Sequence, residues 1–103
     1  MTSVTDEQLR VEQRCCTIAH LDGVWELEGI ADSLRIGRGD TADVRCFGAP
    51  VSREHARIEY SRGRFILTDQ SINGTCVQPC GEPLLGLRWE QFNLQGQGTI
   101  GIG

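Results

Sequence analysis

Apolar and polar residues alternate along most of the chain after residue 14. Cys16, Ile18 and His20 alternate with Cys15, Thr17 and Ala19, and residues 24–28 repeat the pattern. A period of two is typical of β-strands, in which successive side chains point to opposite faces. The same reasoning predicts short extended segments at 34–36, 43–46, 56–60, 64–68, 75–77, 83–87, 92–94 and 99–102.

Turn signals separate these segments. Asp22-Gly23 and Ser61-Arg62-Gly63 each lie between two alternating runs and predict hairpins, and glycines punctuate the rest of the chain. No helix of ordinary length is needed. We therefore predict an all-β fold, a β-sandwich of about ten to eleven short strands, in which alternate loops gather at one end.

The first 13 residues are polar. Thr5-x-x-Gln8 fits a capping box, but only Leu9 and Val11 follow as an apolar face, too little for a stable helix. We interpret residues 1–13 as an N-terminal arm or linker and residues 14–103 as one domain.

Size and hydropathy narrow the class of protein. The chain has 103 residues, 39% of them hydrophobic, which suits a single small globular domain. No apolar run approaches the roughly 20 residues that span a bilayer, and the N-terminus is too polar for a signal peptide. We expect a cytoplasmic location and no membrane partner.

The charges are unevenly distributed. All ten cationic residues are arginine, which excludes chemistry that needs a lysine, and the net charge of −4 argues against nucleic-acid binding. Residues 35–64 hold seven arginines and four acids, a local charge of +3 in an acidic protein. This basic segment indicates either a localised anion site or a solvated face.

Cysteine and histidine spacing offers no metal site. The five cysteines contain no C-x-x-C pair, and the histidines are His20 and His55. We expect reduced cysteines, several of them buried, with no metal and no cofactor. A Cys76–Cys80 disulfide is the alternative, which a cytoplasmic location disfavours.

Three polar loops carry the candidate chemistry: Gly37-Arg38-Gly39, then residues 51–55, then residues 69–75. Each follows an apolar strand, and each alone also fits an ordinary turn. Together they offer two arginines, a serine, an asparagine and free main-chain N–H groups. Guanidinium forks, a hydroxyl and an amide suit a phosphate group.

The order and spacing of these blocks resemble the forkhead-associated (FHA) domain, a β-sandwich that binds phosphothreonine. The resemblance rests on 36–38 (IGR), 51–56 (VSREHA) and 65–75 (FILTDQSINGT), and it covers roughly residues 14–103. More loosely, the segment from residue 35 onward is similar to the domain appended to some bacterial class III adenylate cyclases.

The resemblance implies roles position by position. Arg38 matches the arginine that contacts the phosphate, Ser52 the serine that donates to it, and Arg53 a site that often adds a second contact. Asn73 matches the asparagine that holds the peptide backbone. Supporting roles are implied for Gly37, His55, Gly74 and Thr75, whereas Asp69 fits a turn residue as well as a functional one.

Two departures from the family pattern stand out. Ile72 occupies a binding position where many members carry Ser, Thr or Arg, so only its main-chain N–H can contribute. The family also has one more strand after the position of Gly103, so we expect an open edge there, which leaves the oligomeric state undecided.

The leading hypothesis is a module that binds phosphothreonine proteins in signalling, and not an enzyme. The alternative is a phospho-independent interaction or dimerisation domain that regulates a fused or partner enzyme. A hydrolase built on Ser52, His55 and Asp69 is disfavoured, because Ser52 and His55 share one loop and no nucleophile elbow is present.

Overall fold

The computed structural model describes residues 5–12, 15–20, 23–28 and 33–102, which form eleven β-strands. Their bounds are β1 Thr5–Glu12, β2 Cys15–His20, β3 Gly23–Glu28, β4 Ser33–Gly37, β5 Val44–Arg45, β6 Ala56–Ser61, β7 Arg64–Asp69, β8 Thr75–Pro79, β9 Leu85–Leu87, β10 Gln91–Leu94 and β11 Gly96–Ile102. The described residues contain no helix, and so none long and apolar enough to cross a membrane.

The strands form two sheets. One sheet has six strands in the order β3-β2-β1-β11-β8-β9, and the other has five in the order β10-β7-β6-β4-β5. Inward-facing side chains fill the core, which includes Ile18, Ile36, Ile58, Leu67 and Ile100, each with no exposed surface. The predicted all-β sandwich is confirmed.

Alternation along β7 shows how the sequence selects the buried face. Phe65, Leu67 and Asp69 are buried, and the residues between them are partly exposed. Burying an apolar side chain of this size contributes roughly 1.5–3 kcal/mol, which fixes the register of the strand against the core.

The β6–β7 hairpin closes where the sequence predicts a turn. Ser61 pairs with Arg64, and the two turn residues have positive φ, 52° for Arg62 and 79° for Gly63. Positive φ at both central positions is the pattern of a type I′ turn, whose twist matches that of the paired strands. The hairpin directs the far ends of both strands, Ala56 and Asp69, to the same end of the sandwich.

The expectation of a free arm at residues 1–13 is wrong for Thr5–Glu12. These residues form β1, which pairs antiparallel with β11 on one side and with β2 on the other. The prediction relied on apolar side chains, but a sheet also recruits a strand through its main-chain N–H and C=O groups, which polar sequences carry equally. The remainder of the predicted arm, residues 1–4 and 13, lies outside the described residues.

The expected open edge at the last strand is also wrong. Residues 96–102 of β11 pair with β1, from Val11↔Gly96 to Thr5↔Ile102, and residues 98–102 pair with β8 on the opposite side. The N-terminal strand therefore occupies the position beside β11, and β11 has a hydrogen-bonded neighbour on both sides.

Candidate functional site

Three loops meet at one end of the sandwich: the arginine loop (38–43) after β4, the serine loop (46–55) before β6, and the asparagine loop (70–74) after β7. Main-chain hydrogen bonds join them. The N–H of Arg38 donates to the carbonyl of Ser52 at 3.0 Å, and the N–H of Gln70 donates to the carbonyl of His55 at 2.9 Å. The predicted clustering of these loops is therefore present in the structure.

Arg38 is exposed and positioned by the serine loop. Its Nε donates to the carbonyl of Val51 at 3.0 Å, a neutral acceptor, and no carboxylate of the described residues pairs with the guanidinium. The nearby carboxylate of Asp40 is paired with Arg45 at 2.8 Å. Arg45 also donates from Nε to the carbonyl of Arg38 at 3.2 Å, which further fixes the loop. A cation held in this way is available to an anion from solvent.

Beside Arg38 lies a group of three residues: Ser52, Ile72 and Asn73. The Ser52 hydroxyl accepts a hydrogen bond from the N–H of Ile72 at 3.1 Å, and Nδ2 of Asn73 donates to the carbonyl of Pro50 at 2.9 Å. A hydroxyl that accepts from an N–H still has its own hydrogen to donate. The Ile72 side chain is 79% exposed and extends from the same loop.

His55 connects the serine and asparagine loops from below. It is fully buried, its Nδ1 accepts from the N–H of Ser52 at 3.0 Å, and its Nε2 lies 2.9 Å from the carbonyl of Gly74. The first contact requires an unprotonated Nδ1, and the second requires a hydrogen on Nε2. The neutral ring with its hydrogen on Nε2 satisfies both.

This geometry predicts a pH dependence of stability. Desolvation by burial lowers the pKa of His55 below its ordinary value of 6.5, although the hydrogen bond to Gly74 and the charge of Asp69 act in the opposite direction. Because the folded state favours the neutral ring, His55 contributes its full stabilisation at pH values above the pKa that it has in the unfolded chain. This contribution is lost as the pH falls from that value towards the lower pKa of the folded state.

We therefore expect the free energy of unfolding in urea to decrease from about pH 7.5 to about pH 5. The non-titrating variant His55→Gln is expected to be less stable at the higher pH and to show a smaller decrease. An equal decrease in both proteins would contradict the assignment of this titration to His55.

Asp69 is the residue whose importance the sequence interpretation underestimated. It is fully buried, and its Oδ1 accepts from the hydroxyls of Ser71 and Thr75, both at 2.6 Å. Its Oδ2 accepts from the N–H of Trp89 at 2.9 Å. The Ser71 hydroxyl in turn accepts from the N–H of Gly74 at 2.7 Å. Asp69 thus organises the asparagine loop. A signal was present, because the period-two pattern places Asp69 on the same inward face as Phe65 and Leu67.

Gly37 allows the arginine and serine loops to approach each other. A Cβ at this position would lie 2.1 Å from the carbonyl oxygen of Arg53 and 2.8 Å from its carbon. Both are main-chain atoms of a loop held by hydrogen bonds, so relief of the clash requires the loops to move apart. Position 74 requires glycine for a different reason, because its φ of 94° is a conformation that other residues rarely adopt.

Substitution of Gly37 by alanine is expected to lower stability by about 2 kcal/mol, a fall in Tm of about 10 °C, because the added methyl overpacks against the main chain. Gly86→Ala is the matched control. A Cβ there meets no atom within 4 Å, and its φ is outside the left-handed region. Thermal unfolding of the two variants, monitored by circular dichroism, gives the comparison. Equal melting temperatures would contradict the close approach of the arginine and serine loops at Gly37.

Arg53 is placed differently from the other predicted contacts. Its exposed side chain lines a neighbouring pocket of about 140 Å³, together with Arg35, Thr41 and Arg57. Its carbonyl accepts from the N–H of Gly39 at 3.1 Å, which holds the serine loop against the arginine loop. The structure therefore brings Arg38, Ser52, Ile72 and Asn73 together and places Arg53 at the boundary with a second pocket.

The geometry does not match a hydrolase. Within the described residues, neither ring nitrogen of His55 bonds to the Ser52 hydroxyl, because both bond to main-chain atoms. The oxygens of Asp69 accept from Ser71, Thr75 and Trp89 rather than orienting the His55 ring. The described residues also contain no group of three His, Cys, Asp or Glu side chains able to hold a metal ion. What the site offers is a cation, a hydroxyl and an amide, which suits recognition of an anion.

Comparison with known proteins identifies the family of this fold. A family model described as FHA domain matches residues 34–103. No curated protein matches the chain. Among solved structures, FHA-1 of Mycobacterium tuberculosis Rv1747 superposes with a TM-score of 0.55 at 17% identity, over 96% of this chain and 98% of that one.

Two other structures are more similar in sequence. An FHA domain from an analysis of phosphothreonine-dependent FHA domain interactions is 26% identical, with a TM-score of 0.50 and 95% coverage of each chain. M. tuberculosis EmbR, solved with a low-affinity phosphopeptide, is 25% identical with a TM-score of 0.52. That match covers 95% of this chain and 24% of EmbR. With the family model matching more than half of its length, the chain belongs to the FHA domain family.

Proposed function

We propose that this protein is a phosphothreonine-dependent protein-binding module. The observation that carries the proposal is the convergence of Arg38, Ser52 and Asn73 from three loops into one exposed site. Two relatives of at least 25% identity come from work on phosphothreonine-dependent interactions and on a phosphopeptide complex, which supports the same ligand class here.

The site suits a phosphate better than a carboxylate. A phosphate group carries about −1.5 to −2 charge and three acceptor oxygens, whereas a carboxylate has one charge and two oxygens. In this proposal the Arg38 guanidinium and the Ser52 hydroxyl bind the phosphate, and the N–H of Ile72 reinforces the hydroxyl. Asn73 donates to the main chain of the peptide with its second Nδ2 hydrogen, while the first keeps its bond to Pro50.

Ile72 removes one contact that the family pattern offers. With no side-chain hydroxyl at this position, the phosphate receives fewer hydrogen bonds, so a phospho-independent interaction domain remains the alternative function. The loss of one hydrogen bond is worth about 0.5–1.5 kcal/mol, which lowers affinity without abolishing recognition by Arg38 and Ser52.

The test is a calorimetric titration of one peptide in four forms: threonine, phosphothreonine, phosphoserine and glutamate. We expect measurable binding only for the phosphorylated forms, with phosphothreonine the tighter of the two. Binding is expected to weaken below about pH 6, where the phosphate gains its second proton, and to weaken with added salt. Equal binding of the threonine and phosphothreonine forms would overturn the proposal in favour of the phospho-independent alternative.

A further inference from the structure

Arg45 is the cation of β5 that lies directly beside the start of the arginine loop. It is the Cα partner of Gly37 in the parallel β4–β5 pair, so it stands next to the residue that precedes Arg38. The N–H of Cys46 donates to the carbonyl of Gly37 at 2.8 Å, which fixes the end of β5 against the same residue. Arg45 is therefore held close enough to Arg38 to control its position.

The guanidinium group of Arg45 contacts both the arginine loop and the serine loop. Its Nε donates to the carbonyl of Arg38 at 3.2 Å, and its Nη2 donates to Oδ1 of Asp40 at 2.8 Å. Its Cζ lies 5.3 Å from the centroid of the Phe47 ring, within the range of a cation–π contact. Since Arg38 and Asp40 belong to the arginine loop and Phe47 to the serine loop, a single side chain connects the two loops.

The Phe47 ring orients this guanidinium group. Phe47 is 65% exposed, so the ring contributes little to the core, whereas its face is in contact with Arg45. The Asp40 side chain is 92% exposed, and an ion pair in such a position stabilises a protein only weakly. A planar guanidinium that stacks on a ring is restricted in its rotation. The ring therefore directs Nε and Nη2 of Arg45 towards their acceptors in the arginine loop.

We propose that Arg45 and Phe47, here called the Arg45 clamp, position Arg38 for the phosphate without binding the ligand themselves. The charge of Arg45 is already paired with Asp40, and its Nε is directed at the main chain of Arg38. The Arg45 clamp rests on the proposed function above and deepens it by naming residues that preorganise the site.

The Arg45 clamp adds to the hydrogen bonds that fix Arg38. The N–H of Arg38 donates to the carbonyl of Ser52, its Nε donates to the carbonyl of Val51, and its own carbonyl accepts from Arg45. Because the Arg38 side chain is exposed, packing does little to restrict it. A binding group that is ordered before the ligand arrives loses less conformational entropy on binding. Loss of the Arg45 clamp therefore lowers affinity through Arg38 without removing a ligand contact.

The first experiment is calorimetric titration of Arg45→Lys with the phosphothreonine peptide. Lysine keeps the positive charge, but its ammonium group lacks the planar fork that bonds separate acceptors and stacks on a ring. We expect the affinity to fall about fivefold, the size of one lost hydrogen bond. Arg64→Lys is the matched control, because it makes the same change at an exposed position at the other end of the β6–β7 hairpin. Melting temperatures verify that both variants are folded.

A double-mutant cycle distinguishes positioning from direct contact and from a general structural role. Arg45→Gln is made alone and together with Arg38→Ala, and the affinities of the single and double variants are compared. We expect Arg45→Gln to weaken the wild type about fivefold but the Arg38→Ala variant by about twofold or less. A direct contact between Arg45 and the phosphate, or a general loss of loop structure, would give the same factor in both backgrounds.

Phe47 provides neutral variants that test the Arg45 clamp with no change of charge. Phe47→Leu removes the aromatic face and is expected to lower the affinity about two- to threefold, whereas Phe47→Tyr keeps the face and the affinity of the wild type. Combined with Arg45→Gln, Phe47→Leu is expected to cause no further loss, because the ring then has no guanidinium to orient. A further loss in that background would assign Phe47 to the ligand instead.

The outcomes separate the Arg45 clamp from the proposed function. Losses in Arg45→Lys and Phe47→Leu, together with a loss in Arg45→Gln that disappears when Arg38 is absent, support the Arg45 clamp. Wild-type affinity in Arg45→Lys, or the same loss with and without Arg38, overturns it while phosphothreonine binding stands. A wild-type protein that does not bind the phosphothreonine peptide overturns the proposed function, and the Arg45 clamp with it.

Discussion

Replacing Arg38 with alanine is expected to weaken binding of a phosphothreonine peptide by ten- to hundredfold or so, because each hydrogen bond to a charged group contributes about 1.5–3 kcal/mol. The exposed guanidinium is held by a neutral carbonyl, so its charge is available to an anionic ligand. We expect Ser52→Ala also to weaken binding of this peptide, but by a smaller factor, because a hydroxyl carries no charge.

The measurement is calorimetric titration of the same phosphothreonine peptide into each variant. Arg64→Ala is the control, since it removes one positive charge from an exposed position at the far end of the hairpin. Arg38→Ala is also expected to retain most of its thermal stability, because the lost bond to Val51 is only part-buried. Affinity within twofold or so of the wild type for Arg38→Ala would remove Arg38 from the site.

Replacing Asp69 with alanine is expected to produce the largest loss of stability, about 3–4 kcal/mol, or a fall in Tm of about 12–25 °C. The substitution removes the acceptor for two buried hydroxyls and for the N–H of Trp89, and unsatisfied buried donors are costly. Since these bonds also shape the asparagine loop, peptide affinity should fall at temperatures where the variant is still folded.

Asp43→Ala is the matched control for this experiment. Asp43 is exposed and its carboxylate accepts one main-chain hydrogen bond, from Arg35, so we expect a loss of about 1 kcal/mol or less. Thermal and urea unfolding of both variants give the comparison. If Asp69→Ala melts no earlier than Asp43→Ala, Asp69 does not organise the loop in the way its hydrogen bonds indicate.

Much of the fold follows from local pattern. The period-two alternation identified nearly every strand from residue 15 onward, because each strand buries one face and the burial of alternate side chains is visible in the sequence. The Ser61-Arg62-Gly63 turn was identified for a similar reason, since a residue free to adopt positive φ is required there. Thr5–Glu12 was missed because its place in the sheet depends on main-chain pairing, for which composition gives little signal.

The candidate site, like the fold, could be predicted from the sequence only in part. Arg38, Ser52 and Asn73 were identifiable because their residue types stand in a characteristic order in loops, and the structure brings these three together. Asp69 was underestimated, since its partners are Ser71 within the asparagine loop, Thr75 at the start of β8, and Trp89, 20 residues away. No local pattern indicates which donors will converge on a buried carboxylate.

The sequence by itself determined the sandwich class, most strand positions, the three polar loops and the basic middle segment, because each depends on residue type and short-range spacing. Only the tertiary structure decided that β1 lies beside β11, that His55 joins two loops, and that Arg35 stands opposite Arg57. The physical reason is that strand partners and register are chosen by main-chain hydrogen bonds and core packing between distant segments. Those choices place the arginines of different strands around one pocket.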